Sequence, residues 1–464
     1  MFKLDVYKNR RLRLKDKIES GLILILGNQD APANYKDNCY RFRQDSSFLY
    51  FFGLNLPSLA GVIDVDSGEE YIFGDDVTID DIIWMGPQPR ISELAGSVGV
   101  QNSAPCAKLA TCLRDAVSKG RKIHFLPPYR NANKILLQDL LGINPALIKE
   151  YSSLELIHAV IAMRSVKEAC EIEEIEKACD IGYEMHTTVM KDCREGIVEQ
   201  LLAGKIEGVA CAYGSMISFP VILSQHGETL HNHCHSRILK NGNLLLTDAG
   251  AENNMNYCSD FTRTIPVSGK FDPRQKDVYE SVLSAHDITL EYAKPEVTYK
   301  SVHLEACKAL ATGLKNIGIM KGNIDDAVAA GAHALFMPHG LGHMMGLDVH
   351  DMEDLDQKYV GYDDEVRPSD QFGLNALRMG RRLKEGFVIT DEPGCYFIPA
   401  LIDQWRAEGL HKDFLNYDKI ETYKDFGGIR IEDDVVITPT GSRFLGKKRI
   451  PSTVAEIEEI MRKS

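Results

Sequence analysis

The sequence predicts an α/β (α+β) protein built as two domains. Three observations carry that expectation. At 464 residues the chain exceeds what one ordinary core accommodates. Short apolar runs bounded by glycine alternate with stretches of helical period. Near the middle, Ser165-Val166-Lys167-Glu168 reads as a capping box, with Ser at the N-cap and Glu three residues on. A long amphipathic helix follows it, with Ala169, Ile172, Ile175, Cys179 and Gly182 on one face and Glu171, Glu173, Glu174 and Lys177 on the other. The expected division is residues 1–158 and 159–464.

In the first domain, strands are expected at 22–26, 48–52, 61–65 and 122–126, with helices near 91–98 and 107–118. The aromatic run after Arg41-Phe42-Arg43-Gln44 is read as a strand with an aromatic core face, rather than as the wall of a substrate cleft. The basic run Arg10-Arg11-Leu12-Arg13-Leu14-Lys15 is read as the exposed face of a first helix.

The second domain carries the acidic residues with chemical potential. Leu244 to Thr247 form a buried strand running into Asp248, and Asp260 follows twelve residues later. Phe387-Val388-Ile389-Thr390 leads into Asp391, Glu392 and a Pro-Gly turn. In Gly427 to Ile437, strand alternation places Arg430, Glu432 and Asp434 on one face. Residues 398–425 form a mostly polar insertion.

Between them lies the stretch Phe336 to Asp351, with His339, His343 and His350 at spacings of four and seven. Gly340, Gly342 and Gly346 permit tight turns or close backbone approach there, so the imidazoles can converge. A second tract, His231-Asn232-His233-Cys234-His235, places three histidines on one face if it is a strand, with Cys234 opposite. That geometry argues against a thiolate zinc site and for one functional histidine.

Composition removes other classes. The 53 Lys+Arg against 67 Asp+Glu give a net charge of -14, a poor match for nucleic acid or an anionic membrane. No run reaches the length of a membrane span. Eleven cysteines without paired spacing fit reduced thiols in the cytoplasm better than a disulfide framework.

The candidate inward groups are therefore Asp248, Asp260, Glu392, Glu432 and His343. Four clustered carboxylates require neutralisation, and two divalent cations are the simplest account. Oxygen donors with one imidazole favour a harder ion such as Mn²⁺. His231, His339 and His350 would then transfer protons or stabilise developing charge.

The ordered set Asp248, Asp260, His343, Glu392, Glu432 resembles the dinuclear-metal signature of the pita-bread metallopeptidases. The motif His339-Gly340-Leu341-Gly342-His343 with Leu347-Asp348-Val349-His350-Asp351 resembles their proline-specific branch, prolidase and aminopeptidase P. Arg41-Phe42-Arg43-Gln44 with Gly61-Val62-Ile63-Asp64-Val65-Asp66 is similar to their N-terminal domain. The resemblance implies a creatinase-like N-terminal domain followed by a pita-bread catalytic domain. It implies that Asp260 and Glu432 bridge two metals, that Asp248 binds one, and that His343 and Glu392 bind the other. It also implies Glu392 as proton shuttle, His231, His339 and His350 as substrate-contacting histidines, and Arg430 as their companion. The sequence departs from the family at Asn232, where Tyr is frequent, and in the His233-Cys234-His235 tract.

The activity expected from the resemblance is exopeptidase cleavage of peptides with proline at the second position, by a homodimer. Prolidase is favoured over aminopeptidase P because Arg378, fourteen residues before Glu392, matches the position of an arginine for the substrate's C-terminal carboxylate. The alternative for Arg378 is a helix-surface residue beside Arg381 and Arg382. A metal-free binding protein of the same fold is the reading from another class; it is expected to lack at least one ligand, and none is missing. A methionine aminopeptidase leaves the large N-terminal domain unexplained.

Overall fold

The computed structural model describes residues 1–214 and 216–463. It divides into two compact units, Met1–Arg164 with Asp354–Asp356, and Ser165–Glu353 with Gln357–Ser464. The helix Leu154–Ser165 spans position 158 and ends where the first compact unit ends along the chain.

The first unit holds a five-stranded mixed sheet. Its spatial order is Asn102–Ala104, Glu70–Phe73, Ala60–Asp64, Leu22–Leu26 and Ile123–Phe125. Leu22–Leu26 pairs antiparallel with Ala60–Asp64 and parallel with Ile123–Phe125. Leu24, Val62, Phe73, Leu113 and Leu137 form the core on one of its faces.

Two expectations in this unit are corrected. Residues 48–52 are not a strand but belong to the helix Ser46–Phe52. Asp45 caps it by accepting from the Phe48 N–H, and Gly53 closes it at φ 66°. Every residue of that helix is buried, so an aromatic run apolar all round gave no period to separate helix from strand. The first helix, Leu4–Lys15, forms as expected, but Arg10 and Arg11 are fully buried. Their guanidinium groups donate to the carbonyls of Tyr50 and Phe51 at the end of the aromatic helix, and Arg11 also pairs with Glu70 at 2.8 Å. These arginines satisfy helix-end carbonyls that burial would otherwise orphan.

In the second unit the long helix is Ala169–Asp192, and its N-cap is Glu168, with Glu171 completing the capping box. Ser165 instead ends the preceding helix and accepts from Arg381 at 2.7 Å. Glu171, assigned to the polar face, is buried and accepts from the Tyr257 hydroxyl at 2.9 Å, while Ala169 is exposed.

Three small antiparallel sheets then set the site. Leu244–Asp248 lies between Ile222–Ser224 and Thr262–Pro266. Val388–Asp391 pairs with Asp433–Ile437, and Gly394–Tyr396 with Gly428–Arg430. Single bridges from Thr262 to Glu432 and from Met344 to Ile389 tie these sheets to each other and to the histidine stretch. The helices Pro273–Tyr292 and Tyr299–Asn316 pack as neighbours in this unit.

Candidate metal centre and active site

Each candidate carboxylate stands beside a strand end or in a break between strands, and His343 lies in the irregular histidine stretch. Asp248 is the last residue of Leu244–Asp248, and Asp260 precedes Thr262–Pro266. Glu392 follows Val388–Asp391. Glu432 occupies the gap between Gly428–Arg430 and Asp433–Ile437, where its N–H donates to the Thr262 carbonyl at 3.0 Å. That break alters the expected alternation. Arg430 and Glu432 line the cavity, whereas Asp434 lies behind it and accepts from the Asp260 N–H at 2.9 Å.

The glycines of the histidine stretch serve close approach, not positive φ. A Cβ on Gly342 would stand 2.1 Å from the Thr390 carbonyl oxygen, and one on Gly340 2.6 Å from the Leu377 Cα. His343 is thereby held against Thr390, whose Oγ1 accepts from the His343 N–H at 3.1 Å.

The five groups converge on one cavity of about 420 Å³, which His231, His339, His350, Arg378 and Arg430 also line. The ligand atoms of Asp260, His343 and Glu432 lie within 4.8 Å of one another. The Nδ1–H of His343 donates to the Met344 carbonyl at 3.0 Å, which leaves Nε2 as a lone pair 3.4 Å from Asp260 and 3.8 Å from Glu392. Asp248 and Asp260 each keep a buried carboxylate oxygen with no hydrogen-bond partner among the described residues.

Electrostatics point the same way. Burial, reinforced by Asp248, Asp434 and Glu392, pushes the Asp260 carboxyl well above the usual carboxylate range. Burial and Asp260 do the same to Glu432. Asp248 is raised by burial against the opposing charge of Arg430, with which it is ion-paired. Burial would raise Glu392 too, but His339, His343 and Arg430 hold it below its ordinary value. Unpaired buried oxygens and mutually repelling carboxylates are what a bound divalent cation relieves, so this donor set fits such ions.

The histidines take different positions. His339 is fully engaged: Nδ1–H donates to the Gly340 carbonyl at 2.8 Å, and Nε2 accepts from the Tyr396 hydroxyl at 2.9 Å. Tyr396 in turn accepts from Arg430 at 2.9 Å. His350 stacks on His343 with ring centroids 3.8 Å apart and donates from Nδ1 to Glu353 at 2.9 Å. Burial and His343 lower the His350 pKa.

His231 and His233 line the cavity from an irregular loop, so the shared face that a strand would give them does not arise. In that loop His235 donates to the Leu223 carbonyl at 2.9 Å, and Cys234 is exposed. Asn232 is buried and donates to Ser224 at 2.9 Å. Arg378 is not on a helix surface; it follows the turn Leu374–Ala376, faces the cavity and pairs with Glu353.

Sequence reasoning missed Tyr396, Thr262 and Glu353. Thr262 donates to Glu432 at 2.7 Å and accepts from Arg430 at 3.0 Å. Glu353 alone left a local signal, three residues after His350.

Residues 173–439 match the model of metallopeptidase family M24. The chain belongs to that family. Residues 7–124 match the aminopeptidase P N-terminal domain. Human Xaa-Pro dipeptidase is 32% identical, over 97% of this chain and 91% of its own length. A probable Xaa-Pro aminopeptidase of Fusarium vanettenii is 31% identical, over 96% of this chain and 91% of its own. The solved structure of zinc-substituted Escherichia coli aminopeptidase P in complex with product matches with a TM-score of 0.81 at 27% identity, covering 100% of this chain and 99% of that one. The M24 chain thus has the expected order of a creatinase-like N-terminal domain and a pita-bread catalytic domain. Membership of a metallopeptidase family implies divalent metal ions, and Asp260, His343 and Glu432 are a candidate group to hold one. Among the described residues no helix is long and apolar enough to cross a membrane.

Proposed function

We propose that this chain is a two-metal exopeptidase that hydrolyses the Xaa-Pro bond and prefers dipeptides. One observation carries the reading: the five candidate ligands line the same cavity as Arg378. A cation-binding acidic cluster and a guanidinium for a substrate carboxylate therefore face one space. The relatives named Xaa-Pro dipeptidase and Xaa-Pro aminopeptidase support that substrate class.

In this reading Asp260 and Glu432 would be shared by the two ions, Asp248 would hold one, and His343 with Glu392 would hold the other. The oxygen-rich donor set favours Mn²⁺. Such ions supply a Lewis acid for the scissile carbonyl and ionise water at neutral pH. The chain's own residues do the rest. Glu392, whose carboxyl is held below its ordinary value beside His339, His343 and Arg430, takes a proton from the attacking water and delivers it to the departing proline nitrogen. His350 and His231 act on the developing charge or the leaving group. His339, with both nitrogens engaged, orients the wall that the substrate meets. Arg430 balances Asp248 and fixes Tyr396.

A bond before proline is a tertiary amide with no N–H, so a peptidase that needs that donor fails on it. Carbonyl polarisation avoids the need, and Phe219, Pro220 and Ile222 on the cavity wall offer an apolar seat for the ring. The same reading assigns residues 1–158 to the aminopeptidase P/prolidase-type N-terminal domain and 159–464 to the catalytic domain, in a cytoplasmic homodimer.

The test compares kcat/KM on Ala-Pro with that on Ala-Pro-Ala. The dipeptide should be cleaved faster. Faster cleavage of the tripeptide assigns the chain to aminopeptidase P, and hydrolysis of neither returns it to the non-catalytic class.

A further inference from the structure

A second cluster of metal-ligating side chains lies outside the catalytic cavity. His303 and Cys307 stand one turn apart on the helix Tyr299–Asn316 and so share a face. Both are buried. The short turn Ala332–Leu335 presents His333 to them. The donor atoms of the three lie within 4.8 Å of one another, and His303 Nε2 is 3.5 Å from the Cys307 Sγ. His333 is 2% exposed, yet its Nδ1 has no hydrogen-bond partner among the described residues. None of the three lines the catalytic cavity.

We infer that His303, Cys307 and His333 form a further metal site, which takes a borderline or soft divalent ion of the zinc or cadmium class. One thiolate and two imidazoles at this separation supply three corners of a tetrahedron. Their softness sets this site apart from the carboxylate cluster, which suits harder ions. On binding, the Cys307 S–H bond breaks, its proton leaves to solvent and a sulfur–metal bond forms. The imidazoles contribute lone pairs without a proton change, since burial holds His303 at about 3 and His333 at about 4. Burial pushes the Cys307 thiol up, so it keeps its proton until a metal displaces it.

The site has a mechanical connection to the catalytic stretch. The His333 carbonyl accepts from the N–H groups of Phe336 at 3.0 Å and Met337 at 3.1 Å. Those residues lead directly to His339. An ion at His333 therefore ties the root of the histidine stretch to the helix behind it.

The experiment uses the full chain, saturated with Mn²⁺ and then incubated with Zn²⁺. X-ray absorption at the zinc edge should show a sulfur neighbour at about 2.3 Å beside nitrogens at about 2.0–2.1 Å. Exposed Cys39, Cys211 and Cys234 are controlled by replacing all three with serine, which should leave the sulfur signal intact. Cys307→Ser should abolish it, and His333→Gln should reduce bound zinc by one equivalent. Zinc with only oxygen and nitrogen neighbours in the wild type overturns the inference. So does a sulfur signal that survives Cys307→Ser or vanishes in the triple variant. If Cys307→Ser does not fold, the wild type and the triple variant decide. The readout needs no turnover, so it stands apart from the peptidase assignment.

Discussion

Arg378, on the wall of the catalytic cavity, is ion-paired with Glu353 at 2.7 Å. Both side chains are partly exposed, at 40% and 27%, and such a pair contributes little net stability. Exchanging the Glu353 carboxylate for that of a substrate is therefore inexpensive, and the guanidinium is already positioned for it.

Arg378→Ala should accordingly lower kcat/KM for Ala-Pro while sparing Ala-Pro-Ala. A hydrogen bond to a charged group contributes about 1.5–3 kcal/mol, which corresponds to a loss of roughly 10- to 100-fold. The melting temperature should hold. Equal losses on both peptides would instead assign Arg378 to holding Glu353, and through it His350.

Asp260 and Glu432 give a prediction with a definite sign. Both carboxyls are pushed well above their ordinary range by burial and by neighbouring carboxylates. A group whose folded pKa is raised contributes stability that is present below the unfolded value, about 4, and lost as pH rises. Chelator-treated protein should therefore lose more melting temperature from mildly acidic to neutral pH than metal-loaded protein does. Asp260→Asn should flatten the decline and abolish turnover, as should Glu432→Gln. Metal analysis of the wild type should find about two ions per chain at the catalytic centre. Wild-type activity in either variant would remove the bridging assignment.

How much of this was legible follows from residue type and spacing. The ligands could be read because the acids flank apolar strand-like runs, as at Leu244–Asp248 and Val388–Asp391, and because His343 sits among glycines. The buried Arg10 and Arg11 could not, because their partners are carbonyls some forty residues away. Only tertiary structure brings those together. Tyr396 is silent for the same reason: it orients His339 across 57 positions. The helix Ser46–Phe52 was missed because burial on all sides erases periodicity, although its Asp45 cap and Gly53 stop were both present.

Behind the ligands, buried His286 lies 3.1 Å from Asp433 and 3.6 Å from Asp391. Burial alone would lower the His286 pKa, but Asp391, Asp287 and Asp433 raise it to about 9. Asp391 itself is pushed up to about 7 by burial, against the pull of His286. Both shifts run the same way, towards holding protons in the folded state. Their stabilisation is complete below the unfolded values and is lost as pH rises, for His286 between about 6.5 and about 9. The melting temperature of the metal-loaded protein should fall over that window. His286→Gln should start lower and fall less. A decline of equal steepness in the variant would assign the alkaline loss to other groups.

His350 is the histidine whose role the structure makes most open to test. Glu353 accepts from its Nδ1–H, so Nε2 is a lone pair when the ring is neutral and a second donor when it is protonated. Removing one polar group that acts on developing charge costs roughly 10²–10³ in rate. His350→Ala should lose kcat by about that factor while metal content and melting temperature stay at wild-type values. A structural histidine would show the reverse, with unfolding in place of lost turnover. Glu353→Gln separates the two further, because the amide oxygen can still accept from Nδ1 while the charge is gone. Since Glu353 raises the His350 pKa, its loss should move the limb of the kcat–pH profile governed by His350 to lower pH. A profile with neither limb displaced would remove His350 from the proton inventory of the reaction.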